Sequence, residues 1–184
     1  MHKIFKTLEY QILELFFEDN NTYFAIREIA RRLKKSHATI INHLHHLERL
    51  GLIAINKKTL YPTYAANPEN KYFQWYKKNN IVLKIMESGI IEYLQQSTFS
   101  DCIILFGSCA KGYYTEKSDI DIFVESNRVQ LSLGLYEKKL NKPINVLFEQ
   151  DIRNLGPGLK NNIMNGIVLY GFLRLEKPEN DLIK

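Results

Sequence analysis

The chain has 184 residues, of which 45% are hydrophobic, and carries a formal net charge of +5. This composition excludes a compositionally disordered chain, and no apolar run reaches the roughly 18 to 20 residues of a membrane span. We therefore expect no membrane partner and no signal peptide. The two cysteines, Cys102 and Cys109, form neither a disulfide framework nor a zinc cluster, which predicts a reducing, cytoplasmic environment.

Charge is unevenly distributed along the chain. Residues 1–80 contain 13 Lys and Arg against 7 Asp and Glu, whereas residues 81–184 are close to neutral. A basic first part joined to a near-neutral second part predicts that the first part meets a polyanion.

Apolar residues spaced three and four apart predict three helices in the basic part. They cover Leu8 to Phe17, Phe24 to Lys35 and His37 to Leu50. Ser36 is the predicted N-cap of the third helix, and Gly51 fits the residue just past its end.

A hairpin is predicted next. Two extended segments, Leu52 to Ile55 and Leu60 to Tyr64, flank a turn with Lys57 and Lys58 at its tip. Three helices followed by a basic-tipped hairpin resemble the winged helix-turn-helix transcription regulators, and the resemblance covers about Lys6 to Asn67.

That resemblance implies that the third helix lies in the major groove of double-stranded DNA. The implied DNA-binding residues are Ser36, His37, Thr39, Asn42 and His43 on the helix and Lys57 and Lys58 on the hairpin. An Asn can read adenine, whereas a Lys on phosphate positions the protein without specifying sequence. The alternative is a winged helix used only for protein contact or dimerisation.

A histidine cluster on the third helix permits a second interpretation. His43 and His46 are one helical turn apart, with His45 between them, and Glu48 is the nearby carboxylate in the pattern. Zinc binding is one hypothesis for this group. Histidines that face solvent or DNA are the favoured interpretation.

Residues 68–96 are predicted to be mostly helical, with breaks at Asn79-Asn80 and Ser88-Gly89. The segment carries more large apolar side chains than a solvated linker needs. These side chains are expected to pack on another surface, either in a homodimer or within the chain.

The most informative stretch begins with an apolar strand over Ile103 to Phe106, which runs into Gly107 and Ser108. About ten residues later a second strand carries Asp119 and Asp121 on one face, because side chains alternate along a strand. A divalent cation relieves the repulsion between such carboxylates, and the Gly-Ser turn suits an anion. The pattern predicts Mg²⁺ on the Asp pair and a nucleoside triphosphate on the turn.

The order of strand, Gly-Ser, short basic helix, Asp-x-Asp and strand resembles the minimal nucleotidyltransferases of the DNA polymerase β superfamily. The resemblance covers roughly Gly89 to Leu173. It implies nucleotide binding by Gly107, Ser108, Lys111 and Gly112 and metal binding by Asp119 and Asp121. It also implies two Mg²⁺ ions and ATP or another nucleoside triphosphate as donor.

One position departs from that family. Its third carboxylate, on a third strand, completes the metal site that activates the nucleophile. In the predicted strand Ile144 to Phe148 this catalytic position is Asn145, whose amide cannot act as a base. Glu149 shares the strand face but lies about 13 Å further along an ideal strand. Weak or absent catalysis is therefore predicted.

These patterns predict an α+β chain with a helix over Arg128 to Leu140, interrupted at Gly134. The predicted organisation is a winged helix-turn-helix domain in residues 1–67, a helical connector in 68–96, a nucleotidyltransferase-like α/β domain with a small mixed sheet in 97–175, and a polar tail in 176–184.

Two functions follow from this organisation. In the first, the chain is a DNA-binding transcription regulator whose second domain binds Mg²⁺ and a nucleotide as a sensor or a remnant. In the second, it is an active ATP-dependent nucleotidyltransferase that adenylylates a protein partner, as antitoxin-like members of the resembling group do.

Overall fold

The computed structural model describes residues 7–18, 22–56 and 61–174. The predicted Lys57 and Lys58 contacts lie outside these residues. The chain divides into two compact units, one formed by residues 1–83 with 112–117 and the other by residues 84–111 with 118–184. Within the described ranges, no helix combines the length and apolar character that a membrane crossing requires.

The first unit combines helices with a small antiparallel sheet. Its elements are α1 (Leu8–Phe17), β1 (Phe24–Ala25), α2 (Ile26–Leu33), α3 (His37–Arg49), β2 (Ile53–Asn56), β3 (Thr63–Ala66) and the first part of α4 (Lys71–Ser88). The strand order is β1-β3-β2. The predicted start of the second helix at Phe24 is wrong, because Phe24 and Ala25 pair with Tyr64 and Thr63 as a short strand.

The ends of α3 match the prediction. The Oγ of Ser36 accepts a hydrogen bond of 3.1 Å from the backbone N of Thr39, which satisfies one amide of the first turn. Beyond the helix, Gly51 has a φ of +68°, a conformation that favours glycine. Its N–H donates to the carbonyl of Glu48 at 2.8 Å. These two caps set the length of the helix.

The apolar stripes of α1, α2 and α3 meet in one core. The fully buried members include Ile12, Phe16, Ile29, Ile40 and Leu44. Burying each such side chain stabilises the folded state by about 1.5 to 3 kcal/mol. The apolar residues that predicted the helices are therefore also the ones whose burial stabilises this unit. The polar residues between the stripes remain at the surface.

The helix α4 is continuous where a break was predicted. Asn80 is fully buried, and its Oδ1 accepts a hydrogen bond of 3.0 Å from the hydroxyl of Tyr10. The Nδ2 of Asn79 donates to the carbonyl of Trp75 at 2.7 Å. Each side chain thus forms a hydrogen bond within a continuous helix, and the predicted break at Asn79-Asn80 is wrong. The break at Gly89 is confirmed by its φ of +83°.

The second unit is built on a four-stranded mixed sheet. After α5 (Ile90–Thr98), its elements are β4 (Cys102–Phe106), α6 (Gly107–Lys111), β5 (Ile120–Val124), α7 (Gly134–Leu140), β6 (Ile144–Phe148), a 3₁₀ turn (Ile152–Asn154), α8 (Pro157–Met164) and β7 (Ile167–Gly171). The strand order is β6-β5-β4-β7. β5 and β6 run parallel, and the other pairs are antiparallel. The predicted small mixed sheet is confirmed.

One predicted helix start in this unit is wrong. Residues 128–133 are not helical, and α7 starts only at Gly134. α8 starts at Pro157, because the fixed φ of proline suits a first helical position. The buried strand β4 lies between β5 and β7, so the residues that follow it are held in place by the centre of the sheet.

Candidate functional site

The sheet register brings three polar side chains together. β5 and β6 are parallel neighbours in which Asp121 is paired with Asn145, so their side chains lie on the same face. Asp119 directly precedes β5 and shares that face with Asp121. The predicted Asp pair and the predicted third-carboxylate position therefore form one site.

Asn145 bridges the two carboxylates. Its Nδ2 donates to Oδ2 of Asp119 at 3.0 Å and to Oδ1 of Asp121 at 3.3 Å. A neutral donor shared by two like charges reduces their repulsion, although less than a cation does. The amide thus takes up in part the position between the carboxylates that a cation would occupy.

Gly107 allows Asp121 to lie against the turn after β4. It has a φ of +72°, and a Cβ built there would collide with Oδ2 of Asp121. Any other residue would be strained by the backbone conformation and would displace the carboxylate. The glycine of the predicted Gly-Ser turn is therefore required by the close approach of Asp121.

The short helix α6 carries the rest of the turn. Ser108 is half-buried in it, and Lys111 is exposed at its end. Cys109 is fully buried, and its Sγ donates to the carbonyl of Asp119 at 3.3 Å. Cys109, for which no role was predicted, therefore ties the Gly-Ser helix to the residue that carries the first carboxylate.

Gly112 directly follows α6 in the chain. It belongs to the first unit, with a φ of +79°, and a Cβ there would lie 2.8 Å from the carbonyl oxygen of Gln74 in α4. Its lack of a side chain is thus used for contact with a helix backbone. The structure brings Gly107, Ser108, Asp119, Asp121 and Asn145 together in the second unit.

Glu149, the other carboxylate near β6, is held in the turn after the strand. It accepts hydrogen bonds from Nδ2 of Asn154 at 3.0 Å and from the backbone N of Asp151 at 3.2 Å. The bond from Asn154, followed by that from the Asp151 backbone, lowers the pKa of Glu149. Glu149 does not complete the site as a third carboxylate.

The donor set decides what metal the site could hold. In the described part of the chain, no group of three or more His, Cys, Asp or Glu side chains is placed to hold a metal ion. Two carboxylates and the Asn145 amide remain, and Mg²⁺ is usually held by one or two carboxylates together with substrate phosphates. The residues fit one Mg²⁺ that a nucleotide helps to coordinate.

The predicted nucleic-acid residues on α3 differ in their surroundings. Ser36, His37, Thr39 and Asn42 are exposed. The hydroxyls of Ser36 and Thr39 are hydrogen-bonded to each other at 2.7 Å, so both take part in the cap. Of the four, Asn42 and His37 are the side chains with no role in the helix cap.

The side chain of His43 is directed to α1. Its Nδ1 lies 3.3 Å from Oε1 of Glu9, and Nδ1 of His46 lies 2.6 Å from the same oxygen. The hydrogen bond with His46 is the main cause that lowers the pKa of Glu9. The carboxylate beside these histidines is therefore Glu9, which is distant in sequence, and not Glu48.

Exposed cationic side chains precede α3 in the chain. Arg27, Arg31, Lys34 and Lys35 are exposed on α2 and just after it, whereas Arg32 is paired with Glu28 at 2.6 Å. A surface cavity of about 630 Å³ lies along α3 and is lined by Asn42, His45, Glu48 and Arg49. His45 and Arg49 were not among the predicted DNA-binding residues, although their helical spacing from Asn42 places them on the same side.

Comparison with known proteins gives a family match for one segment of the chain. A family model described as nucleotidyltransferase domain matches residues 88–170. The match covers α5, the Gly-Ser turn, the Asp pair, β6 and most of β7, and so supports the predicted nucleotidyltransferase domain. No curated protein matches the chain at a significant level.

Proposed function

We propose that this chain is a DNA-binding transcription regulator whose second unit binds a nucleoside triphosphate with Mg²⁺ and transfers nucleotide weakly or not at all. The observation that carries the proposal is the bridge from Asn145 to Asp119 and Asp121, at 3.0 and 3.3 Å. The two carboxylates proposed to bind the metal are present, whereas an amide stands at the position of the carboxylate that would serve as a base.

The topology of the first unit supports DNA binding. Three helices precede the β2–β3 hairpin, and β1 pairs with β3, an order typical of winged helix-turn-helix domains. α3 is the helix that such domains insert into the major groove. The exposed cations on α2 and just after it would contact phosphate, which gives affinity without sequence readout.

Asn42 is the residue we propose for direct readout. It is exposed in the second turn of α3, and an Asn can form two hydrogen bonds with adenine. His37 is a second candidate at the start of the helix. The contact with Glu9 makes His43 a positioning residue for α1 and α3 in this proposal.

In the second unit, the proposed nucleotide ligands are the α6 residues and the Asp pair. Ser108 and the amides beside it would bind phosphate oxygens, and Lys111 would add positive charge. Asp119 and Asp121 would hold one Mg²⁺. This ion, when bound, would neutralise the phosphates and stabilise charge during transfer.

Catalysis would be limited by the missing base. Proton removal from an attacking hydroxyl needs an acceptor within hydrogen-bond reach, and the Nδ2 of Asn145 is a donor. Glu149 is occupied by Asn154 and Asp151. Nucleotide binding needs neither group, which favours a sensor over an efficient transferase.

We also propose that the chain forms a homodimer through α4. Tyr72 is 59% exposed and Trp75 is 54% exposed on one side of this helix. Large aromatic side chains are common in protein interfaces, and DNA-binding regulators often read two-fold sites as dimers. Light scattering of Trp75→Ala should show the mass of one chain where the wild type shows two, while Phe99→Ala should not change the mass.

The proposal is tested by three measurements on the purified full chain. Binding to a fragment of its own promoter is compared with binding to random DNA at physiological salt. ATP binding is measured with and without Mg²⁺, and transfer is followed with ATP labelled at the α-phosphate. Preferred promoter binding, Mg²⁺-dependent ATP binding and little transfer would support a nucleotide-sensing regulator.

Other results would contradict it. Equal competition by promoter and random DNA would exclude specific regulation by this chain. Efficient label transfer to a protein in cell extract, lost in Asp119→Asn, would favour the adenylyltransferase instead. The adenylyltransferase function is kept as the second candidate because both carboxylates of the Asp pair are present.

A further inference from the structure

Residues 112–117 connect two residue sets of the proposed nucleotide site. They follow Lys111 at the end of α6 and precede Asp119, yet they belong to the first unit. A ligand that shifts α6 or Asp119 would therefore also displace residues 112–117. These residues belong to the same unit as α3. This inference rests on the function proposed above.

The segment is anchored on α4 by a buried tyrosine. Tyr114 is fully buried, and its hydroxyl donates to the carbonyl of Lys77 at 3.2 Å. The Nζ of Lys77, itself 1% exposed, lies 4.6 Å from the centre of the Tyr114 ring. Gly112 lies against the carbonyl of Gln74. A displacement of the segment must therefore disturb α4.

The next contact joins α4 to α1. Asn80 is one helical turn beyond Lys77, and its Oδ1 accepts the hydrogen bond from the hydroxyl of Tyr10. The Nδ2 of Asn80 is buried without a hydrogen-bond partner among the described residues. An unsatisfied buried amide is costly, so a small shift that gives it a partner would be favourable.

The last contact reaches α3. Glu9, adjacent to Tyr10 in α1, contacts His46 at 2.6 Å and His43 at 3.3 Å. Three polar contacts therefore connect residues 112–117 to α4, α4 to α1, and α1 to α3, the helix proposed to read DNA. Neighbouring positions on α4 and on α1 join one contact to the next. Each of them is within the first unit.

We propose that this chain of contacts, anchored by Tyr114, couples nucleotide binding to DNA binding. Coupling free energies are reciprocal, so ATP must change DNA affinity by the same factor as DNA changes ATP affinity. Typical couplings correspond to a change of about 5-fold or more. We expect a change of at least that size at saturating ATP and Mg²⁺.

The test measures the dissociation constant for a promoter fragment with and without ATP and Mg²⁺, and that for ATP with and without DNA. Tyr114→Phe removes the bond to the Lys77 carbonyl and retains the buried ring. We expect it to bring both factors close to one while each ligand still binds alone. Tyr10→Phe, which removes the bond to Asn80, should act in the same direction.

Tyr113→Ala is the matched control, because Tyr113 is the neighbouring residue and is 61% exposed. It should keep the wild-type factor. If each ligand binds the wild type but does not change the dissociation constant of the other, the coupling is overturned and the proposed function stands. The same conclusion follows if both Phe variants keep the wild-type change in dissociation constant. Absence of DNA binding or of ATP binding would overturn the proposed function and this inference together.

Discussion

The Nδ2 of Asn145 in β6 lies 3.0 Å from the Oδ2 of Asp119, which directly precedes the parallel strand β5. This hydrogen bond connects a residue that cannot ionise with a carboxylate proposed to bind metal. It would link the stability of the site to the proposed metal binding, because the amide and a cation both reduce the repulsion within the Asp pair.

Asn145→Asp should reverse that balance. Without metal, the variant loses the bridging donor and gains a third negative charge, so its thermal midpoint should fall by a few degrees, corresponding to about 1 kcal/mol. Added Mg²⁺ should restore the midpoint, and label transfer from ATP should rise above that of the wild type. Asn145→Ala serves as control: it also loses the donor but keeps only the two carboxylates, so its response to Mg²⁺ should be smaller than that of Asn145→Asp. Equal Mg²⁺ responses in the two variants would contradict the assignment of the site.

Gly107→Ala tests the close approach of Asp121. The left-handed conformation and the collision with Oδ2 should together cost about 2 kcal/mol or more and weaken ATP binding. Gly134→Ala is the control, because Gly134 has open space around its Cβ position at the start of α7. It should be neutral or slightly stabilising. Urea unfolding of both variants gives the comparison, and similar free energies of unfolding would refute the packing argument.

Asn42→Ala and Arg31→Ala should separate readout from charge. Loss of a paired Asn contact should weaken promoter binding by about 1 to 3 kcal/mol and leave random-DNA binding nearly unchanged. Loss of one phosphate contact should weaken both and reduce the slope of log K against log salt by about one. Salt titrations with both DNA fragments measure these effects. The same pattern in both variants would argue against Asn42 as a reader.

Glu9 should make stability depend on acidic pH. Its pKa in the folded state is lowered from the ordinary value of 4.5, first by the hydrogen bond with His46. The stabilisation is therefore present above the unfolded-state pKa and is lost as pH falls through the lower folded-state value. The thermal midpoint of Glu9→Gln should lie below that of the wild type near pH 6, and the difference should shrink below about pH 4.5. A difference that stays constant down to pH 3 would exclude this role.

The local elements were predictable from neighbours in the sequence. The spacing of Ile40, Leu44 and Leu47 indicates a helix, and Ser36 and Gly51 mark its ends through their own chemistry. The same holds for the Gly-Ser turn and the Asp pair, whereas the importance of position 145 came from the family resemblance. Each of these depends on residues within a few positions of one another.

Tertiary packing decided the remaining features. Asn80 looks like a helix breaker in sequence, but within α4 its Oδ1 accepts a hydrogen bond from Tyr10, 70 residues away. Glu9 contacts His43 and His46 because α1 packs against α3. Asn145 bridges the carboxylates because β6 lies parallel to β5 in one particular register. Hydrogen bonds act over about 3 Å, so partners distant in sequence are determined only when the helices and strands have packed.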